Sequence, residues 1–227
     1  MITAVVFDLD DTLYDEIDYC RSGFTVAAEY LAQKLTSADA VRIFDGLWNQ
    51  FAAGNRTRTF NGALEQLQID YDDNLIEKLI QLYRSHEPDI TLPEDSRDVL
   101  EQLTGKYTLG LLTDGFLPAQ KLKVHALGVE KYFKSIIYTE QLGRQFWKPA
   151  PEGFLKLLEE LNEKPQNTAY VADNPKKDFI APNKLGSATI QLTRPARIHT
   201  GTPDLSYAAP KHIIGKINEL PALLASL

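Results

Sequence analysis

The chain has 227 residues, with 24 Lys and Arg against 31 Asp and Glu (net −7 at pH 7) and 44% hydrophobic content. That length suits one large domain, or a core of about 100–150 residues with a smaller domain inserted or appended, and these fractions exclude wholesale disorder and collagen-like structure. A pI near 5.2 argues against a nucleic-acid binder that works through a broad basic face, so an anionic ligand would need a local cation, either a metal or a few placed Lys and Arg.

Residues 2–9 (ITAVVFDL) form a short β-branched apolar run that stops at acids. A buried parallel strand reads this way when its C-terminal end opens onto a polar site. From about 16 to 86 no strand pattern occurs. Helical stretches are predicted near 17–35, 37–53, 59–68 and 72–85, separated by Thr36-Ser37, Gly54-Asn55 and Asp70, with Pro88 and Pro93 marking the end of the segment. Residues 93–104 then start a helix at Pro93, with Glu94 and Asp95 in the first turn, where the helix dipole favours acids. Strands are predicted at 107–113, 134–139, 167–173 and 187–192. Helices alternate with them at 118–127 (ended by Gly128), 151–162 and 178–185 (closed by Gly186). Residues 194–210 carry three prolines without periodicity and read as an irregular connection, and 216–226 as a last amphipathic helix. The expected fold class is α/β. A Rossmann-like parallel sheet with helices on both faces takes residues 1–15 and 87–227, and an all-helical domain is inserted at 16–86.

Four polar clusters fall at predicted strand ends, where ligands bind in an open parallel sheet. The first is Asp8-Leu9-Asp10-Asp11-Thr12. Two carboxylates facing one pocket crowd negative charge, which argues for a compensating divalent metal. The second is Thr113-Asp114-Gly115, a hydroxyl at a strand end followed by a glycine that lets backbone amides approach an anion. Lys148-Pro149 places a cation just before a helix. Asp173-Asn174-Pro175-Lys176-Lys177-Asp178 leads two further acids from a strand into a helix.

Acid-x-acid-x-Thr after the first strand, then Thr, Lys-Pro and a paired-acid loop, resembles the motif order of the haloacid dehalogenase superfamily over about residues 2–192. The helical insertion resembles that superfamily's α-helical C1-type cap. Two local departures stand out: Ala172 takes the place of a usual glycine, and the Lys176-Lys177 pair has no assigned role.

The resemblance implies a Mg²⁺-dependent phosphomonoester hydrolase of the phosphatase branch, acting on a small phosphorylated metabolite such as a sugar phosphate or nucleoside monophosphate. It implies that Asp8 is the nucleophile, forming a phosphoaspartate, and that Asp10 is the general acid and then base. Mg²⁺ would be held by Asp8, the backbone carbonyl of Asp10, and Asp173. Thr113, Asp114 and Lys148, with nearby backbone amides, would bind the phosphate oxygens, and Asp178 would orient Lys148 or a metal-bound water. A phosphomutase or dehalogenase of the same fold is the alternative, although the acid at position 10 argues against a dehalogenase. A phospho-accepting, receiver-like signalling module is the non-enzyme alternative, but a receiver has no helical insertion of about this length.

Asp11 reads as a turn or helix cap, and the four histidines, lacking metal-ligand spacing, as incidental. Cys20, the only cysteine, excludes an intramolecular disulfide and reads as a small buried hydrophobe. Tyr14, Tyr19, Arg56, Arg58 and Asn61 could face substrate or serve as core or solvated residues. No run approaches the roughly 18 apolar residues of a membrane span, and no basic segment precedes Asp8, so a cytoplasmic protein without nucleic-acid or membrane partners is expected. The insertion is expected to act as a lid hinged near Tyr14-Asp15-Glu16 and His86-Glu87-Pro88.

Overall fold

The computed structural model describes residues 1–35, 39–203 and 205–227. Thr36-Ser37, read above as a breaker, and one residue of the 194–210 connection lie outside the described residues. The chain divides into two compact units, Met1–Ile17 with Thr91–Leu227, and Asp18–Ile90. The sequence-based expectation put its divisions at 15/16 and 86/87, two and four residues earlier in the chain.

In chain order the elements are β1 (Ala4–Phe7), α1 (Glu16–Lys34), α2 (Ala40–Ala52), α3 (Thr59–Leu67), α4 (Asp73–Ser85), α5 (Glu94–Leu103), β2 (Thr108–Thr113), α6 (Ala119–Leu127) and β3 (Ser135–Tyr138). There follow α7 (Glu152–Leu161), β4 (Thr168–Ala172), α8 (Ile180–Leu185), β5 (Ala188–Leu192), β6 (His212–Ile214) and α9 (Leu220–Ala225). The strands form one parallel sheet in the order β3-β2-β1-β4-β5-β6. β1 is buried at all four positions, as a strand with neighbours on both sides and covered faces must be. On one face Phe154, Leu157 and Leu161 of α7 pack with Val6, Leu112 and Tyr170 of the sheet. Gly110 in β2 permits that approach: a Cβ there would stand 2.9 Å from Leu161 Cδ1.

Strand β6 is absent from the expected elements. It is an edge strand of three residues, pairing His212, Ile213 and Ile214 with Ile190, Gln191 and Leu192 of β5. Ile213 is exposed, so no buried apolar run announces the strand. The expected helix at 216–226 is instead a 3₁₀ turn, Ile217–Glu219, followed by α9. The helix expected from 178 begins at Ile180, after the turn that Asp178 itself braces.

The second unit is helical throughout its regular structure, within the described residues. The rings of Phe24, Phe51, Phe60 and Tyr83 meet in edge and tilted contacts at its centre. His86 is buried there, its Nδ1 2.8 Å from the Tyr83 carbonyl and its Nε2 2.9 Å from Ser22 Oγ. Cys20 is buried, with Sγ accepting from the Tyr83 hydroxyl at 3.3 Å. Arg58 pairs with Glu65 at 3.1 Å and Arg56 lies over the Phe51 ring. Among the described residues no helix is long and apolar enough to cross a membrane.

Candidate active site

Strand order and register build the site. Phe7 of β1 pairs with Leu111 of β2 on one side and Val171 of β4 on the other. Asp8, Thr113 and Asp173 therefore emerge one or two residues beyond a common level, at the carboxyl ends of three adjacent strands. The Asp8 amide still donates to the Val171 carbonyl at 2.9 Å, which ties the acid to the sheet.

Lys148 reaches into the same place. Its ammonium lies 2.7 Å from Asp8 Oδ1, 2.8 Å from Asp178 Oδ1 and 3.2 Å from the Tyr170 hydroxyl, and the side chain is only 1% exposed. Asp8, Asp173 and Asp178 each offer an oxygen within 4.8 Å of the others. All three are buried, and Asp173 Oδ2 has no hydrogen-bond partner among the described residues.

This crowding sets the protonation behaviour. Burial, then the Asp178 charge, push Asp8 up to about 7 against the pull of Lys148 and Lys177. Burial with the charges of Asp178, Asp8 and Asp11 pushes Asp173 up to about 9. Burial opposes the charge on Lys148, but Asp178 and Asp8 outweigh it and raise the ammonium well above its usual range. One ammonium cannot offset three carboxylates at once, so the trio resists full ionisation unless a further cation joins it. With the orphaned Asp173 oxygen and an all-oxygen donor set, the cluster fits a hard divalent cation.

A buried pair also implies a stability effect. Lys148→Met is expected to lower the unfolding free energy by about 3–5 kcal/mol, because it strands buried carboxylates without their cation. Urea denaturation would measure it, and a loss below about 1 kcal/mol would mean that Asp8 and Asp178 do not depend on Lys148 for compensation.

Asp10 behaves differently from its neighbours. Burial alone would raise it, but the Lys123 charge and hydrogen bonds from Lys123, Tyr14 and Gln120 hold it below the usual carboxylate range. Its two side-chain oxygens are thus taken up by Lys123, Tyr14 and Gln120. Asp11, at φ 53°, accepts from the amides of Glu16 at 2.9 Å and Ile198 at 2.6 Å, fixing the turn after β1 to the 194–199 stretch.

Asp114 is committed to protein donors. Thr139 Oγ1 donates to it at 2.8 Å, the Lys148 amide at 3.2 Å and Lys177 Nζ at 3.0 Å. Burial works against its charge, yet Lys148 and Lys177 hold it below the usual range. A carboxylate so engaged leaves only the backbone of Asp114 to face an anion. Lys177, unassigned from sequence, joins the loop after β4 to the end of β2. Asp178 Oδ2 accepts from the Asn174 amide at 3.0 Å, bracing that loop while Oδ1 meets Lys148.

Sequence reasoning did not single out Gln120, Lys123, Thr139 or Tyr170. The signal for the first two was present: two polar side chains three residues apart, on the buried face of the helix that follows Thr113-Asp114-Gly115.

A model of haloacid dehalogenase-like hydrolases matches residues 2–186. The chain is 25% identical to a glyceraldehyde 3-phosphate phosphatase of Methanopyrus kandleri, over 97% of this chain and 99% of that protein. It is 26% identical to an N-acylneuraminate-9-phosphatase of Rattus norvegicus, over 100% and 95% respectively. Among solved structures it resembles a 2-haloacid dehalogenase from Pseudomonas syringae pv. tomato, with a TM-score of 0.67, 24% identity and coverage of 100% and 99%. At that identity the structural likeness speaks for the fold alone.

Proposed function

The chain belongs to the haloacid dehalogenase-like hydrolases and is a phosphatase among them; from that premise we propose that it hydrolyses a small phosphomonoester, a sugar phosphate or nucleoside monophosphate, through a phosphoaspartate on Asp8. The observation that carries this reading is the Asp8–Lys148–Asp178 chain of contacts beside Asp173 at the strand ends. A nucleophilic carboxylate can approach an anionic phosphoryl group only where cations offset both charges.

An Asp8 oxygen attacks phosphorus as the bond to the leaving alkoxide breaks, and Asp10 gives that alkoxide a proton. Water then attacks the phosphoaspartate, Asp10 takes its proton, and the Asp8 carboxylate departs from phosphorus. The donors around Asp10 favour the carboxylate that the second step needs. A bound phosphate dianion adds like charge and raises its proton affinity for the first step. Lys148, Thr113 and the amides after β2 stabilise charge on the phosphoryl oxygens. Asp8, the Asp10 carbonyl and Asp173 would hold Mg²⁺, which would supply electrophilic polarisation of a phosphoryl oxygen. We read the helical unit as the part that selects the leaving group.

The test is release of inorganic phosphate from about a hundred phosphate esters with Mg²⁺ present, with products resolved by chromatography. Turnover of at least one small ester at a kcat/KM of about 10⁴ M⁻¹s⁻¹ or more is expected. Conversion of a substrate to an isomeric phosphate without release would establish a mutase instead.

A further inference from the structure

We propose that Lys123 and Gln120 of α6 are positioning residues that hold Asp10 and Thr113 in one fixed arrangement at the phosphoryl site. The inference rests on the phosphatase reading above, in which Asp10 handles the leaving-group proton.

The geometry is specific. Lys123 Nζ donates to Asp10 Oδ1 at 2.7 Å, and the Tyr14 hydroxyl donates to the same oxygen at 2.6 Å. Gln120 Nε2 donates to the other oxygen, Oδ2, at 2.8 Å. The same amide nitrogen lies 2.6 Å from Thr113 Oγ1 and 2.8 Å from the Asp114 carbonyl. The Asp10 carboxylate and the Asp114 carbonyl can only accept, which settles which end of the amide faces the site. Gln120 is 2% exposed and Lys123 4%, and a lysine is rarely so buried without a charged partner. Gly115 makes the room: at its φ of +140° a Cβ would stand 2.7 Å from Gln120 Cδ.

The terminal torsion of an aspartate is broad and poorly fixed by itself. Donors on both oxygens lock it, so the carboxyl group stays in one orientation through both proton transfers. Thr113 Oγ1 lies against the same amide nitrogen at 2.6 Å, and its hydroxyl points to the Asp114 carbonyl at 3.4 Å, so Gln120 fixes the threonine beside Asp10. Lys123 lies also 3.7 Å from Glu16, so its ammonium compensates two half-buried acids, with the shorter of these two contacts to Asp10.

A helix anchor without a role in the reaction would predict that losing Lys123 affects all substrates alike. Positioning of a proton donor predicts dependence on the leaving group. The experiment compares kcat/KM for phenyl phosphate and p-nitrophenyl phosphate in wild type, Lys123→Met, Gln120→Met and Asp10→Asn, with thermal midpoints recorded for each. p-Nitrophenoxide departs with little help, whereas phenoxide gains from a proton. The ratio of the two kcat/KM values is expected to fall by about tenfold or more, against phenyl phosphate, in Lys123→Met, and in the same direction in Gln120→Met. In the Asp10→Asn background, adding Lys123→Met is expected to leave the ratio unchanged, because the group being positioned is already gone.

An unchanged ratio in both Met variants, with a changed one in Asp10→Asn, overturns the positioning role and leaves the acid reading standing. An unchanged ratio in Asp10→Asn overturns the acid reading and the inference with it. If Lys123→Met does not fold, Gln120→Met carries the same comparison without stranding a buried charge.

Discussion

Asp8→Asn is expected to reduce kcat by at least about 10⁴-fold while leaving the protein folded. The amide matches the carboxylate in shape but cannot form the phosphoaspartate. The surroundings explain why the fold should survive. Lys148 keeps its 2.8 Å contact with Asp178, so the buried ammonium is not stranded. Asp8 is also one of three acids within 4.8 Å, so neutralising it relieves repulsion with Asp173 and Asp178. The variant should therefore unfold at or above the wild-type temperature in metal-free buffer. Circular dichroism and scanning calorimetry check the fold, and phosphate release checks the chemistry. Retention of a tenth of wild-type activity by the folded variant would remove Asp8 from the nucleophile's role.

Exhaustive chelation is expected to abolish phosphate release, with Mg²⁺ or Mn²⁺ restoring it and Ca²⁺ failing to do so. Small octahedral ions suit hard oxygen ligands shared with a phosphate, whereas Ca²⁺ draws more ligands at longer distance. The acidic cluster gives a second readout that needs no turnover. Asp8, at about 7, and Asp173, at about 9, both lie above their values in an unfolded chain. Groups raised in this way stabilise the fold at low pH and lose that contribution as pH climbs through their folded values. Metal-free protein should thus lose stability from these two acids across about pH 4 to 9, with Asp8 exhausted near 7 and Asp173 near 9. A cation binds the deprotonated acids, so the Mg²⁺-induced rise in Tm should grow from pH 6 to pH 9. At about a hundred times its Kd the ion would add about 2.7 kcal/mol. Full activity after chelation, or a Tm unmoved by Mg²⁺ at every pH, would count against a metal at this site and revive substitution at carbon.

Much of this molecule is legible in one dimension. Strand and helix periods are local, so runs such as residues 2–9 and 167–173, and the helices beginning near Pro93 and Pro151, lie within a few residues of β1, β4, α5 and α7. The candidate site residues are legible for the same reason. Asp8, Thr113 and Asp173 each stand where an apolar run meets polar residues, which marks a strand's end. Edge strand β6 escaped because one paired side and an exposed Ile213 leave no apolar signature.

Tertiary structure decided which of these local features meet. The order β2-β1-β4 placed Asp8 between Thr113 and Asp173, and no property of any single segment states that order. It brought Lys148 between Asp8 and Asp178, turned the Asp114 carboxylate toward Thr139 and Lys177, and gave Lys177 a partner. It also laid Gln120 and Lys123 against Asp10, more than a hundred residues away in the chain. Hydrogen bonds and ion pairs between distant residues impose no period on the sequence. They depend on strand register and on burial, which raises the penalty for an unpaired charge, and both exist only once the sheet has formed.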